Sequence, residues 1–285
     1  MVRIITDTTS VLPQEIAKKY RIPVIPQIIH FDDETYLEGI EIDNATFLRK
    51  LKSSKNLPKT SAPPPELFAQ EFQKTTDPNE AIICIHPSIE VSGTIRSATI
   101  AARDFSYLDI RIIDTKVVAS PLATMVTLAA QWAQEGLSAD VIIDNLNQLI
   151  QDCHLYFLVD TLEYMAKGGR IGNASALLGS VLQIKPILMF KNGQVDVFEK
   201  ERTHKRALER LENIVVEQIP KNREAYLSLM HADIPDKIKE FADRLSESLS
   251  IPSIPIFEIP PAIITHAGPG VLGVGFFTPP FSDSK

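Results

Sequence analysis

The amino-acid order predicts an α/β protein of two domains. The N-terminal domain is expected to be doubly wound around a parallel sheet, and the C-terminal one to be α+β with a mixed or antiparallel sheet. Three observations point there. The chain has 285 residues, about twice the usual length of one domain. Its first half alternates short Ile- and Val-rich runs with helical patterns, the grammar of parallel crossover units. After Tyr156, apolar runs meet across an Asn192-Gly193 turn, which is antiparallel grammar. The boundary is expected near residue 155, giving domains 1–155 and 156–285.

Each element has its own signal. Val2 to Thr6, Ile22 to Ile29, Ala81 to Ile85 and Arg111 to Ile113 are apolar runs bounded by polar residues or proline, and read as buried strands. Pro13 to Tyr20 opens with proline at the first helical position. Asp43 can cap a helix that places Phe47 and Leu51 four apart. Further helices are expected at Glu66 to Lys74, Gly93 to Asp104, Ala119 to Gln134 and Ser138 to Cys153. In the second half, a Gly- and Ala-rich stretch precedes strands at "IKPILMF" and "QVDVFE". Helices at Thr203 to Gln218 and Pro235 to Leu249 follow, with strands near Ala225 to His231, Ile254 to Ile259 and Val271 to Phe277.

Composition narrows the function classes. Hydrophobic residues are 44% and charged residues 23%, which fits a globular interior and excludes global disorder. A net charge of −7 opposes bulk attraction to nucleic acid or anionic bilayers. Cys84 and Cys153 cannot build a disulfide framework, and the N-terminus lacks a secretory pattern, so a cytoplasmic location is expected. The uncharged stretches Val117 to Gln134 and Ile259 to Ser282 carry proline and polar residues and do not read as membrane spans.

Several short segments could carry chemistry. Gly268, Gly270 and Gly273 have a dinucleotide-like spacing, but the remaining chain is too short for the helix and acid such a site needs. They read instead as a turn passing close to a ligand or a neighbouring strand, with His266 at its entrance. Ser92, Gly93 and Thr94 fall where a helix starts after a strand, a place where free N–H groups attract an anion; Ser92 as a simple cap is the other reading. Thr60 and Ser61 sit in a proline-stiffened loop, either as carboxylate donors or as a solvated turn. Arg170 lies in "KGGRIG", and Lys200, Arg202, His204, Lys205 and Arg206 cluster at a helix start, either solvated or facing an acidic partner. Cys84 and His86 share a strand face, but no further ligands occur at metal spacing, so no metal or cofactor is expected.

Taken in order, "TDTTS", "TSAPPP", "SGTIRSA", "IDT", "GGRIG", "IKPIL", "RT" and "HAGPG" resemble the DegV family over nearly the whole chain. The resemblance implies a long-chain fatty acid bound between two α/β domains, and service as the lipid-binding subunit of a bacterial fatty acid kinase. A separate ATP-carrying subunit would phosphorylate the carboxylate. It implies that Thr60 or Ser61, Ser92, the Gly93 amide and His266 hold the carboxylate, with Thr94, Arg170 and Gly268 beside them. It also implies that Arg202 engages the kinase, that the second domain takes the lipid tail, and that the chain alone has no turnover. Two other readings remain open. One is a transferase in which His266 activates Ser92, oriented by Asp7 or Asp114. The other is a lipid-responsive regulatory protein.

Overall fold

A computed structural model describes residues 2–75, 77, 80–178, 184–220 and 225–278. The chain divides into two compact units, Met1–Gln151 with Pro260–Ala262, and Asp152–Ile259 with Ile263–Lys285.

The first unit runs β1 (Val2–Asp7), α1 (Gln14–Tyr20), β2 (Val24–Ile25), β3 (Ile28–Phe31), β4 (Glu34–Leu37), α2 (Asn44–Ser53), β5 (Lys59–Ser61), α3 (Pro65–Phe72), β6 (Ala81–His86), α4 (Thr94–Ala102), β7 (Asp109–Asp114), α5 (Ser120–Gln134) and α6 (Ala139–Gln151). A parallel sheet of order β2-β1-β6-β7 forms its centre. All six residues of β6 are buried, as expected of a parallel strand covered on both faces. On one face Ile5, Ile82 and Cys84 pack with Phe68 and Phe72 of α3 and Ala98 and Ala101 of α4. Helix α5 packs against β1 and β6.

Two local expectations change. The apolar run Ile22 to Ile29 is not one strand: β2 joins the parallel sheet, whereas β3 joins a separate antiparallel sheet of order β4-β3-β5. Pro26 interrupts the run, having no N–H to give a ladder. Pro13 caps α1 from outside rather than occupying its first turn. Asp43 does cap α2, accepting from Thr46 N at 2.8 Å. Asp43→Ala is expected to cost about 1 kcal/mol, read as a lower urea midpoint with an unchanged slope.

The second unit runs β8 (Cys153–Leu158), α7 (Glu163–Lys167), β9 (Lys185–Lys191), β10 (Gln194–Glu201), α8 (His204–Gln218), β11 (Ser228–His231), α9 (Pro235–Leu249), β12 (Ile256–Glu258), α10 (Pro261–Ala267) and β13 (Leu272–Phe277), with the first residues of α10 grouped in the first unit. Residues 179–183, the end of the Gly- and Ala-rich stretch, lie outside the described residues. The six strands form a mixed sheet of order β10-β9-β8-β13-β11-β12, antiparallel except for the β11–β12 pair. The β9–β10 hairpin turns at Asn192 and Gly193, whose φ values of 52° and 84° are those of a type I′ turn.

One face of this sheet packs Tyr156, Leu158, Ile187, Val274 and Phe276 under Leu211 and Ile214 of α8 and Phe241 and Leu245 of α9. Strand alternation puts Leu155, Phe157 and Leu188 on the other face, and the β8–β13 register sets Gly273 opposite Phe157 and Gly275 opposite Leu155. This second face is apolar and has no side chains along part of β13. No helix among the described residues is long and apolar enough to cross a membrane.

Candidate functional site

In the first unit the candidate residues gather at the carboxyl ends of β1 and β6. Their parallel register pairs Ile5 with Cys84 and so brings Asp7 beside His86. His86 Nδ1 donates to Asp7 Oδ2 at 2.7 Å. Asp7 Oδ1 accepts from Thr9 N at 3.0 Å, Thr9 Oγ1 at 2.6 Å and Gln27 Nε2 at 3.0 Å. The same Gln27 Nε2 lies 2.9 Å from Thr94 Oγ1, which lies 2.8 Å from Ser92 Oγ. Asp7, His86 and Thr94 are fully buried, and Gln27 nearly so.

The turn from β6 into α4 carries Ser92, Gly93 and Thr94. Gly93 is the N-cap of the helix and offers no capping side chain; instead Ser92 Oγ accepts from Thr94 N at 3.3 Å. Ser92 therefore caps loosely and also faces the buried network. A Cβ on Gly93 would lie 3.2 Å from the Ala62 methyl, so the loop after β5 rests against this turn. Thr60 and Ser61 on β5 point to opposite sides. Ser61 Oγ lies 2.9 Å from His30 Nε2 on the exposed side. Thr60 is half-buried, two residues before Ala62.

In the second unit the two glycine segments meet. Gly168 follows α7 and lies so close to the His266 ring that a Cβ there would overlap Nδ1. Arg170 folds back, its Nη1 donating to Gly168 O at 2.7 Å. Burial first, and the Arg170 charge second, push His266 down to about 4, so its imidazole is neutral near pH 7. Gly268 and Gly270 follow with φ of 82° and 83°. A Cβ on Gly268 would reach within 2.7 Å of the Tyr164 ring, and one on Gly270 would overlap the Asp160 carboxylate. These glycines are required both by backbone conformation and by close approach. Arg202 is exposed immediately before Thr203, which caps α8 by accepting from Arg206 N at 3.3 Å.

The structure thus brings Ser92, Gly93 and Thr94 together with the Ala62 end of the Thr60 loop, and separately gathers Arg170, His266 and Gly268. Ser61 is engaged elsewhere. Asp7, an orienting acid in the transferase reading, is committed to His86, and Asp114 accepts from Lys116 N at 3.0 Å. Sequence reasoning misses Gln27 and Gly168, and meets His86 only as a discounted metal ligand. The usable signal is a polar residue set within an apolar run for Gln27 and at the end of one for His86. Cys84 is buried, and its thiol is pushed up to about 12 by that burial.

Fold and clusters define a class: α/β proteins with one parallel-sheet unit and one unit built on a largely antiparallel sheet, each with its own polar cluster. A family profile described as "Uncharacterised protein, DegV family" matches residues 1–279. The chain belongs to the DegV family. A DegV domain-containing protein of Listeria innocua is 33% identical over 274 residues, covering 96% of this chain and 97% of the relative. Protein DegV of Bacillus subtilis is 31% identical over 276 residues, covering 96% and 98%.

Solved structures agree in fold. The fatty-acid-binding DegV family protein of Streptococcus agalactiae matches with a TM-score of 0.90 at 29% identity, covering 98% of this chain and 99% of its own. DegV of Bacillus subtilis, described as a fatty acid binding protein, matches with a TM-score of 0.86 at 31% identity, covering 97% and 99%. A fatty-acid-binding DegV family protein of Thermus thermophilus gives 0.88 at 28%, covering 98% and 99%.

Proposed function

We propose that this chain is a cytoplasmic carrier that binds a long-chain fatty acid and presents its carboxylate to a separate ATP-dependent kinase subunit for acyl-phosphate formation. The observation that carries the reading is the near-complete, chain-long likeness to relatives described as fatty-acid-binding proteins. In this reading Thr60, Ser92, the Gly93 amide and His266 hold the carboxylate, with Thr94, Arg170 and Gly268 beside them. Thr60 is favoured over Ser61 because it is half-buried, whereas Ser61 is exposed and bonded to His30.

A neutral His266 donates to a carboxylate without needing a proton of its own to be taken up, and Arg170 supplies positive charge. The apolar second face of the six-stranded sheet, with Gly273 and Gly275, supplies surface for the tail. Burial of about fifteen methylenes at about 0.8 kcal/mol each is enough for tight binding after association costs. Arg202 is assigned to the kinase, and the chain alone has no turnover.

Native mass spectrometry of the purified protein, before and after adding oleate, tests the binding. One fatty acid per chain is expected, and Ser92→Ala is expected to bind about tenfold more weakly, the loss of one hydrogen bond to a charged group. Protein that carries no lipid and takes up no oleate would overturn the reading. For the kinase step, Arg202→Ala is expected to keep oleate affinity while lowering ATP-dependent acyl-phosphate formation with the partner subunit; equal turnover would remove Arg202 from that role.

A further inference from the structure

We infer that Gln27, locked by Asp7, sets the direction of the hydrogen bond between Thr94 and Ser92, making the Ser92 hydroxyl an outward donor and the head-group site selective for an ionised carboxylate. The inference rests on the fatty-acid-binding reading and adds two residues, neither proposed to touch the ligand, as determinants of what the ligand's head must be.

Asp7 accepts from Thr9, Gln27 and His86, its Oδ1 already taking the Thr9 N–H and hydroxyl, so that oxygen offers Gln27 only a lone pair. The Gln27 side-chain atom 3.0 Å from Asp7 Oδ1 is therefore the amide nitrogen, since an amide oxygen there would set two acceptors against each other in a fully buried place. That nitrogen has two hydrogens. One goes to Asp7 and the other to Thr94 Oγ1 at 2.9 Å.

Thr94 Oγ1 thus accepts from Gln27. Among the described residues its one other partner is Ser92 Oγ at 2.8 Å, and Thr94 is fully buried, so its own hydrogen goes to Ser92. Ser92 Oγ then accepts twice, from the Thr94 hydroxyl and from Thr94 N at 3.3 Å. Its hydrogen is left to point away from the network. A fixed donor rewards a group that only accepts, such as a carboxylate, and rewards less a group that must also donate, such as an alcohol.

The distinguishing substitution is Gln27→Glu. The introduced carboxyl group has at most one hydrogen, which the Asp7 carboxylate beside it takes, so Thr94 meets a lone pair and donates inward, and Ser92 must donate to Thr94. The Ser92 lone pairs then face the ligand. Delipidated protein would be titrated with oleate and with oleyl alcohol by calorimetry. Gln27→Glu is expected to weaken oleate by at least about tenfold while leaving oleyl alcohol within about twofold.

Gln27→Leu removes the fixed donor without reversing it and is expected to lower the preference for oleate by about threefold; it decides the matter if Gln27→Glu does not fold. A preference for oleate unmoved in the folded variants, or equal losses for acid and alcohol, would overturn the inference while leaving the fatty-acid-binding reading intact. Wild-type protein that binds no oleate would overturn both.

Discussion

Gly168→Ala is expected to weaken fatty-acid binding about thirtyfold with little loss of fold. The backbone permits it, because Gly168 has φ of −79° and ψ of −7°, a conformation any residue adopts. The added methyl has no room on the His266 side, where it would overlap the imidazole Nδ1. Overpacking of this kind costs about 1–3 kcal/mol; because the flexible partner is the ring itself, the strain is relieved by turning His266 out of place. A shift of ~2 kcal/mol in binding is a thirtyfold change. Gly169→Ala is the control: its φ of +68° strains the backbone, but nothing lies within 4 Å of the new methyl. Oleate titration of the two variants separates the effects. Equal affinities would show that the ring's position does not govern binding.

The second large effect concerns Glu38, which is 2% exposed. Its carboxyl shares a hydrogen bond with the Thr8 hydroxyl and accepts from Ala262 N at 2.5 Å. Burial, with the charge of Asp7 added, raises it from the ordinary 4.5 to about 7 against the pull of those two bonds. Between these values the folded chain holds a proton that the unfolded chain has released. Stability from this group therefore falls as pH rises from 4.5 to 7 and is level above, by about 3 kcal/mol in all. The amide introduced by Glu38→Gln does not titrate, and it can accept from Ala262 and donate to Thr8.

Urea midpoints across pH 4.5 to 8 should show Glu38→Gln gaining on wild type by about this amount toward the alkaline end. Parallel profiles would refute the assignment. The comparison is with wild type because His266 works with the opposite sign. Held at about 4 rather than 6.5, it refuses a proton that the unfolded chain accepts, so its contribution is lost as pH falls through that window.

What the sequence discloses, and what it hides, follows from how local the cause is. The Asn192-Gly193 turn, the Asp43 cap and the strand-to-helix turn at Ser92 each depend on a few neighbouring residues, and each is where the pattern put it. The split of Ile22 to Ile29 was hidden because apolar residues on both sides of Pro26 read as one run, although the two pieces enter different sheets. The partners of Asp7 were hidden by distance: Gln27 is 20 positions away and His86 is 79, joined through strand pairing that no single run encodes. Glu38, in "YLEGIE", looks like part of a solvated turn, and its burial depends on residues as remote as Ala262.

The grouping of Pro260–Ala262 with Met1–Gln151 bears on any attempt to dissect the molecule. The backbone returns to the first unit after leaving it, so truncation after residue 151 discards the amide that serves Glu38. The fragment would carry a carboxyl group suited to enclosure with half its hydrogen-bond partners gone. Covalent continuity and structural independence diverge here, and a faithful minimal version of the first unit needs that short return segment spliced back on.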